Sequence, residues 1–331
     1  MGQRTSGKSS ISEVVFHKMQ PLETLYIEST SRPTYTKISS LIEFGILEMP
    51  GQLNISDPSF DSARIFSTCG AIIYVIDCQT EYLGAISNLG TIAEMAVQAN
   101  PKINIEVLIH KIDGLSEDFR LDTRRDIIQR TQDELADNNI VVASMNHYLT
   151  SIYDRSIHEA FSKIIQKLIP DMDVLENLLS TLCAHSGIEK TFLFDINSKI
   201  YVATDSTAVD PLTYEVCTDF IDVTIDLDKL YDSSNQTVPP DATDGGSESD
   251  NGNANSNGTI SKKPTDSGAA GTVWPLKSIS RMHNGVVLYL CQMIRGLALV
   301  GFIRNETPQK MALIDYNVEI FSQSLQMIWN K

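Results

Sequence analysis

Several protein classes are ruled out by what this sequence does not contain. No two of its five cysteines, Cys69, Cys78, Cys183, Cys217 and Cys291, have CxxC spacing, and each lies in or beside an apolar stretch. That excludes a zinc ribbon and points to reduced core thiols in a cytosolic protein. The six histidines are also without metal-ligand spacing. Basic charge is scarce: 26 Lys and Arg against 42 Asp and Glu leave a net charge of −16. No general affinity for nucleic acid or an anionic membrane is therefore expected. Long hydrophobic runs are missing as well. "AIIYVID" is too short to span a bilayer, and "VVLYLCQMIRGLALVGFI" carries an arginine and reads as two strands, so direct membrane insertion is not expected. The first residues show no secretory signal, and the last residues, "MIWNK", offer no cysteine for prenylation. Gly2 follows Met1 but belongs to a glycine loop, so no myristoyl site is read there. A cytoplasmic location is expected.

What is present suggests two domains in 331 residues, 42% of them hydrophobic. Over residues 1–170, strand-length apolar runs at 41–49, 71–78 and 104–113, with a shorter one at 148–151, alternate with helical patterns at 83–99, 118–137 and 155–168. This alternation predicts an α/β domain with a parallel sheet covered by helices on both faces. Residues 171–331 differ. A helical connector at 173–185 leads to a hairpin around Asn197-Ser198 and a helix at 211–230. The strands "TVWPLKSISRM", "GVVLYLCQMI" and "LALVGFIR" follow, and then a closing helix at 312–329. A mainly antiparallel α+β domain is expected. Within it, residues 233–271 are rich in Ser, Asn, Gly, Asp and Thr and predict a disordered insert.

The chemistry begins at Gly2-Gln3-Arg4-Thr5-Ser6-Gly7-Lys8-Ser9, which satisfies GxxxxGK[ST]. In such a loop the backbone N–H groups curl around a β-phosphate and the helix behind it points its positive end the same way. Lys8 would reach β- and γ-oxygens, and the Ser9 hydroxyl would ligate Mg²⁺. Loops of this kind usually hang from the end of a buried strand, yet Met1 alone precedes this one, and nothing there could be that strand. The expectation is of a clipped sequence with two exposed strand edges and a void in the core.

The base to be read is suggested by "IEVLIHKID", which ends a strand with His110-Lys111-Ile112-Asp113. This resembles the Asn-Lys-x-Asp motif of guanine-nucleotide proteins. There the aspartate accepts hydrogen bonds from guanine N1–H and the N2 amine, and the lysine stem covers the base. "TSIYD" (150–154) falls where a serine and a backbone N–H approach guanine O6. In "EMPGQ" (48–52), Gly51 can offer its N–H to a γ-phosphate and Gln52 can orient the attacking water. Glu48 stands where an aspartate usually holds the metal through water, which puts Mg²⁺ affinity in question.

These segments, with "RTSGKSSISEVVFHKMQPLETLYIEST", "EVLIHKIDGLSEDF", "YLTSIYDRSIHEAFSKIIQKLIP" and "SGIEKTFLFDINSKIYVATDS", resemble the Rag GTPases of the RagC/RagD type and their fungal counterpart. The likeness covers nearly the whole chain outside 233–271, and His in place of Asn at 110 is itself a mark of that family. The resemblance implies a Ras-like P-loop GTPase domain followed by a roadblock (longin-like) domain. It implies GTP/GDP and Mg²⁺ as cofactors, and a heterodimer with a RagA/RagB-type GTPase through the second domain. It further implies a membrane-anchored scaffold complex at the vacuole or lysosome, activating and exchange factors, and signalling of amino-acid sufficiency to the target-of-rapamycin kinase complex. Carried over by position, Arg4, Thr5, Ser6, Gly7, Lys8, Ser9 and Ser10 become phosphate and Mg²⁺ contacts. Thr24 and Thr30 fall in the first switch, with Thr30 sensing the γ-phosphate and sharing the metal with Ser9. His110, Lys111 and Asp113 face the base, with Ser151 and Ile152 beside it. Arg4 stands where Ras-type proteins have glycine and would crowd a partner's arginine finger, so slow intrinsic turnover that needs a different kind of activating protein is expected. The alternatives are a degenerate scaffold subunit that does not hydrolyse nucleotide and a P-loop ATPase; the HKID motif and the lack of an acidic Walker-B pair argue against the second.

Overall fold

The computed structural model describes residues 1–39, 43–52, 61–231, 276–283, 285–304 and 307–329. The expected insert at 233–271 lies outside the described residues. Two sheet-and-helix units follow one another along the chain, the first α/β and the second antiparallel.

In the first unit the phosphate loop runs straight into α1 (Lys8–His17), which buries Ile11, Val14 and Val15. A 3₁₀ turn (Pro21–Tyr26) leads to a hairpin of β1 (Thr34–Ser39) and β2 (Glu43–Glu48). After α2 (Ser62–Thr68), the strands β3 (Ala71–Asp77), β4 (Asn104–His110) and β5 (Ser144–Thr150) form a parallel sheet in that order. They are connected by α3 (Leu83–Ala99) and α4 (Glu117–Asp137), and α5 (Ser156–Leu168) closes the unit.

Two expectations need correction. The 41–49 run does not join the parallel sheet: among the described residues β2 pairs only with β1, and antiparallel. The last strand begins at Ser144, not Tyr148. It is an edge strand with half-buried side chains, so it needs no continuous apolar run and carries no strong signal. The polar "TYTKIS" of β1 escapes the apolar criterion for the same reason. On the side of β3 away from β4, Met1 and Gly2 alone among the described residues pair with it. The Met1 amine donates to the Ile73 carbonyl at 2.7 Å, the Val75 N–H donates to Met1, and Gly2 bridges Val75. The β1–β2 hairpin and the three-stranded sheet are therefore separate among the described residues.

The second unit starts with α6 (Met172–Ser186), ended by Gly187 in the left-handed conformation (φ 63°). Then come β6 (Lys190–Asp195), β7 (Tyr201–Thr204), α7 (Pro211–Tyr231), β8 (Lys277–Arg281), β9 (Val286–Gln292), β10 (Leu297–Arg304) and α8 (Pro308–Trp329). The antiparallel order is β7-β6-β10-β9-β8. The expected hairpin joins β6 to β7, with a register shift at Leu193/Phe194.

One sheet face packs on α7 through Phe192, Phe194, Tyr201, Tyr214, Cys217 and Ile221. The other face, with α6 and α8, shares an apolar core with α1 and α5, so Phe161 and Ile164 belong to the same cluster as Leu179, Leu299 and Phe321. Polar ties cross the same boundary. Arg155 donates to Asp219 at 2.9 Å, and the Tyr201 N–H donates to the Ser162 hydroxyl at 3.1 Å.

Candidate nucleotide site

β3, β4 and β5 run parallel, and their register aligns Asp77, His110 and Thr150 in one row at their carboxyl ends. A crevice at the carboxyl ends of parallel strands is where α/β folds bind ligands. The phosphate loop lies over this row.

The loop is organised around one carbonyl. Gln3 O accepts from the Ser6 hydroxyl at 2.9 Å and from Lys8 Nζ at 2.6 Å, so the lysine folds back across the bowl it would share with phosphate. Thr5 has φ 62°, rare for a β-branched residue. Gly7, at φ 98°, is the residue preceding α1. A Cβ at Gly7 would stand 2.7 Å from His110 Cδ2, so backbone conformation and space both demand glycine there. Arg4 is exposed, with its guanidinium in no ion pair among the described residues, and Ser10 sits half-buried on α1.

His110 lies beneath the loop and is almost fully buried, with Nδ1 3.0 Å from the Thr150 hydroxyl. Burial first, and the neighbouring Lys111 second, lower its pKa to about 4. It therefore acts as a neutral support under Gly7. Burial lowers His147 and His158 to about 4 as well. Free histidine titrates near 6.5, so between about pH 6.5 and 4 the unfolded chain binds protons that the folded chain does not. The stability these groups contribute is complete above that window and is lost as the pH falls through it. Thermal unfolding midpoints should fall steadily from pH 6.5 to 4. Substituting His158 by Leu should make that slope shallower, and an unchanged slope would contradict the assignment for this residue.

On the metal side, three oxygens converge. The Ser9 hydroxyl donates to Glu48 Oε1 at 2.5 Å and lies 2.9 Å from the Thr30 hydroxyl, which donates to the same Glu48 oxygen at 3.2 Å. Mg²⁺ prefers hard oxygens in an octahedron with bonds of about 2.1 Å, which gives neighbouring oxygens about 3 Å apart. Two hydroxyls and a carboxylate with this spacing suit that ion. The extra methylene of Glu48 leaves its carboxylate within hydrogen-bond reach of both hydroxyls. Thr24, in contrast, is not brought to this group. It is buried in the 3₁₀ turn, and its hydroxyl donates to the Pro21 carbonyl at 2.7 Å.

Gly51 closes the loop from the switch side. A Cβ there would come within 2.4 Å of Arg4 N and 2.6 Å of Arg4 Cα. Gln52 follows, exposed and hydrogen-bonded to no described residue. A Gly51→Ala change must push switch and loop apart, because the obstacle is backbone. It should slow single-turnover hydrolysis at least ten-fold while nucleotide affinity changes much less. An equal loss in both quantities would refute this.

On the base side, Asp113 is exposed, and its Oδ1 accepts from the buried Ser151 hydroxyl at 2.5 Å. Ser151 is oriented in turn: its hydroxyl accepts from Tyr153 N, and its own N–H donates to the Ser156 hydroxyl. Ile152, half-buried beside it, packs against the core. Lys111 has φ 65°, and its Nζ donates to the Thr5 carbonyl at 2.8 Å and to Asp77 Oδ2 at 2.6 Å. Asp77, Gln79 and Thr150 are parts of the site that sequence reasoning did not find. The one available signal was position, since Asp77 and Thr150 end strands of a parallel sheet.

Residues 1–221 match the family described as "Gtr1/RagA G protein conserved region". The chain belongs to this family. It is 52% identical to the GTP-binding protein GTR2 of Saccharomyces cerevisiae, over 99% of this chain and 91% of that protein. It is 45% identical to the GTP-binding protein gtr2 of Schizosaccharomyces pombe, over 100% of this chain and 96% of that one. With the human Ras-related GTP-binding protein C the identity is 44%, over 99% of this chain and 75% of the relative. The RagC/RagD type read from the motifs is thereby established, and with it the reaction class of a Rag-family GTPase, hydrolysis of GTP.

Proposed function

We propose that this Rag-family chain is a guanine-nucleotide switch that uses Mg²⁺ and works as the RagC-type half of a heterodimer with a RagA/RagB-type GTPase. The observation that carries the switch is the meeting of Ser9, Thr30 and Glu48. It joins the phosphate loop, the first switch and the strand leading to Gly51 at one cation position. Gain or loss of a γ-phosphate beside that cation would therefore move both switch segments. Ser9 and Thr30 would hold Mg²⁺ and Glu48 would orient it. The chemistry such an ion would supply there is neutralisation of phosphate charge during transfer. Arg4 to Ser10 line the phosphates, Gly51 N–H meets the γ-phosphate, Gln52 orients the water, and Asp113 reads guanine with Ser151 and Ile152 beside it.

The heterodimer is supported by the second unit. β8 is an edge strand with no partner on its outer side among the described residues. α7 exposes Val223, Leu227 and Leu230 at i, i+4 and i+7, one stripe along the helix. A partner of the same fold could extend the sheet and cover the stripe. No helix of the described residues is long and apolar enough to cross a membrane, so in this proposal a scaffold complex supplies the vacuolar or lysosomal address. From there the heterodimer would report amino-acid sufficiency to the target-of-rapamycin kinase complex.

The test is co-expression with a RagA-type chain, size-exclusion chromatography, and extraction of the bound nucleotide. One-to-one complexes carrying GDP or GTP are expected. Val223→Asp with Leu227→Asp should separate the chains while guanine nucleotide stays bound to each. Monomers without nucleotide from the unmutated pair would defeat the proposal, and bound ADP would favour the ATPase alternative. Glu48→Gln should raise the Mg²⁺ concentration needed for half-maximal hydrolysis by roughly ten-fold, the loss of one charged contact.

A further inference from the structure

Asp77 ends β3 and is 8% exposed, an unusual setting for a carboxylate. Its two oxygens do different things. Oδ1 accepts from Gln79 N at 2.9 Å and shapes the turn after the strand. Oδ2 forms an ion pair with Lys111 Nζ at 2.6 Å. The same ammonium donates to the Thr5 carbonyl of the phosphate loop at 2.8 Å, and Gln79 Nε2 returns to the Lys111 carbonyl at 2.8 Å. Lys111 is thus held at both ends, by its own carbonyl and by its ammonium, while its backbone sits in the left-handed region.

We infer that Asp77 is a positioning residue for nucleotide binding: by anchoring the Lys111 ammonium it fixes the lysine stem as a platform for the base and fastens the phosphate loop at Thr5. The inference rests on the guanine-nucleotide reading above. The physical reason is that a backbone carbonyl by itself competes poorly with water for an ammonium one-third exposed, whereas a carboxylate with little water of its own does not. With Asp77 in place, the stem lies between the end of β3 and the loop before any ligand arrives. Its ordering cost is therefore met in folding and not in binding.

Asp77→Asn separates the two roles. One amide oxygen can still accept from Gln79 and keep the turn, but no carboxylate then remains for Lys111. The experiment uses the full chain in complex with its RagA-type partner and fluorescent GDP. Dissociation rates are measured for the unmodified chain, Asp77→Asn, Lys111→Met and the double variant, with unfolding midpoints taken on nucleotide-free samples. Asp77→Asn should release GDP about ten-fold faster, the size of a coupling between touching charged groups. The double variant should release it no faster than Lys111→Met alone, and the nucleotide-free midpoint of Asp77→Asn should stay close to that of the unmodified chain. A release rate unchanged by Asp77→Asn would overturn the inference. So would an undiminished effect of Asp77→Asn on top of Lys111→Met, which would make the residue a structural prop independent of the lysine. Failure of the underlying reading looks different, because the unmodified complex would then retain no fluorescent GDP.

Discussion

Replacing Lys8 by alanine is expected to weaken GDP binding about a thousand-fold. Lys8 Nζ already lies inside the bowl of the loop, 2.6 Å from the Gln3 carbonyl and 3.5 Å from the Ser6 hydroxyl. Burial pushes its pKa down and Glu48 pulls it back up. A phosphate arriving there gains a charged donor that needs little reorganisation. Two charge-assisted hydrogen bonds are worth roughly 4 kcal/mol together, which is about a factor of a thousand in Kd. Calorimetry on the proposed heterodimer would check this, with nucleotide-free unfolding run in parallel, since the substitution also strips the Gln3 carbonyl of a donor. A loss below ten-fold, with the fold intact, would mean that phosphate is held elsewhere.

Asp113→Ala is the second large effect. It should cost about a hundred- to ten-thousand-fold in GDP affinity and leave ADP affinity nearly unchanged, so that the preference for guanine disappears. The carboxylate is exposed and held by Ser151, which leaves its other oxygen, and the remaining lone pairs of both, free for a base. Guanine offers N1–H and the N2 amine as a donor pair, and adenine has no such pair. A pocket built to pair with donors discriminates far more strongly than one that only fits a shape. If Asp113→Ala bound GDP and ADP as unequally as the unmodified chain does, the base would be read by another group. Ser151→Ala should show a milder form of the same change, because it removes one anchor of the carboxylate and not an acceptor of the base.

Much of the fold could be read from residue patterns. The helices at 83–99, 118–137, 155–168 and 211–230 lie within a residue or so of α3, α4, α5 and α7, because their apolar spacing is regular and they end at clear breaks. α8 begins at Pro308, four residues ahead of the reading, since proline serves as a helix start as readily as a stop. β1 and the first half of β5 were invisible because a half-buried strand needs no apolar run. The pairing of β2 with β1 could not be foreseen from composition either, since a strand's neighbours are set by the topology of the sheet.

The site divides in the same way. Glu48 looked like a weakened metal ligand in the sequence, yet its carboxylate meets Ser9 and Thr30. Whether one more methylene helps or harms depends on the separation between β2 and α1, which no local pattern encodes. The resemblance places both Thr24 and Thr30 in the first switch, with Thr30 as the γ-phosphate sensor, and the 3₁₀ turn claims the Thr24 hydroxyl for Pro21. His110 looked like a base contact, but the register of β4 with β5 sets its ring on Thr150 beneath Gly7.

The chain's order of residues was enough to determine the phosphate loop, the guanine-type strand end and the change from parallel to antiparallel architecture. Each of these is a local demand, on backbone freedom, on hydrogen-bonding chemistry or on the period of apolar side chains, and local demands are met by neighbouring residues. Only the tertiary structure decided that Asp77 clamps Lys111, that Glu48 closes a three-oxygen group and that α1 and α5 share a core with α6 and α8. The Asp77–Lys111 and Ser9–Glu48 contacts join residues 34 and 39 positions apart, and distances of that kind follow from strand register and helix packing.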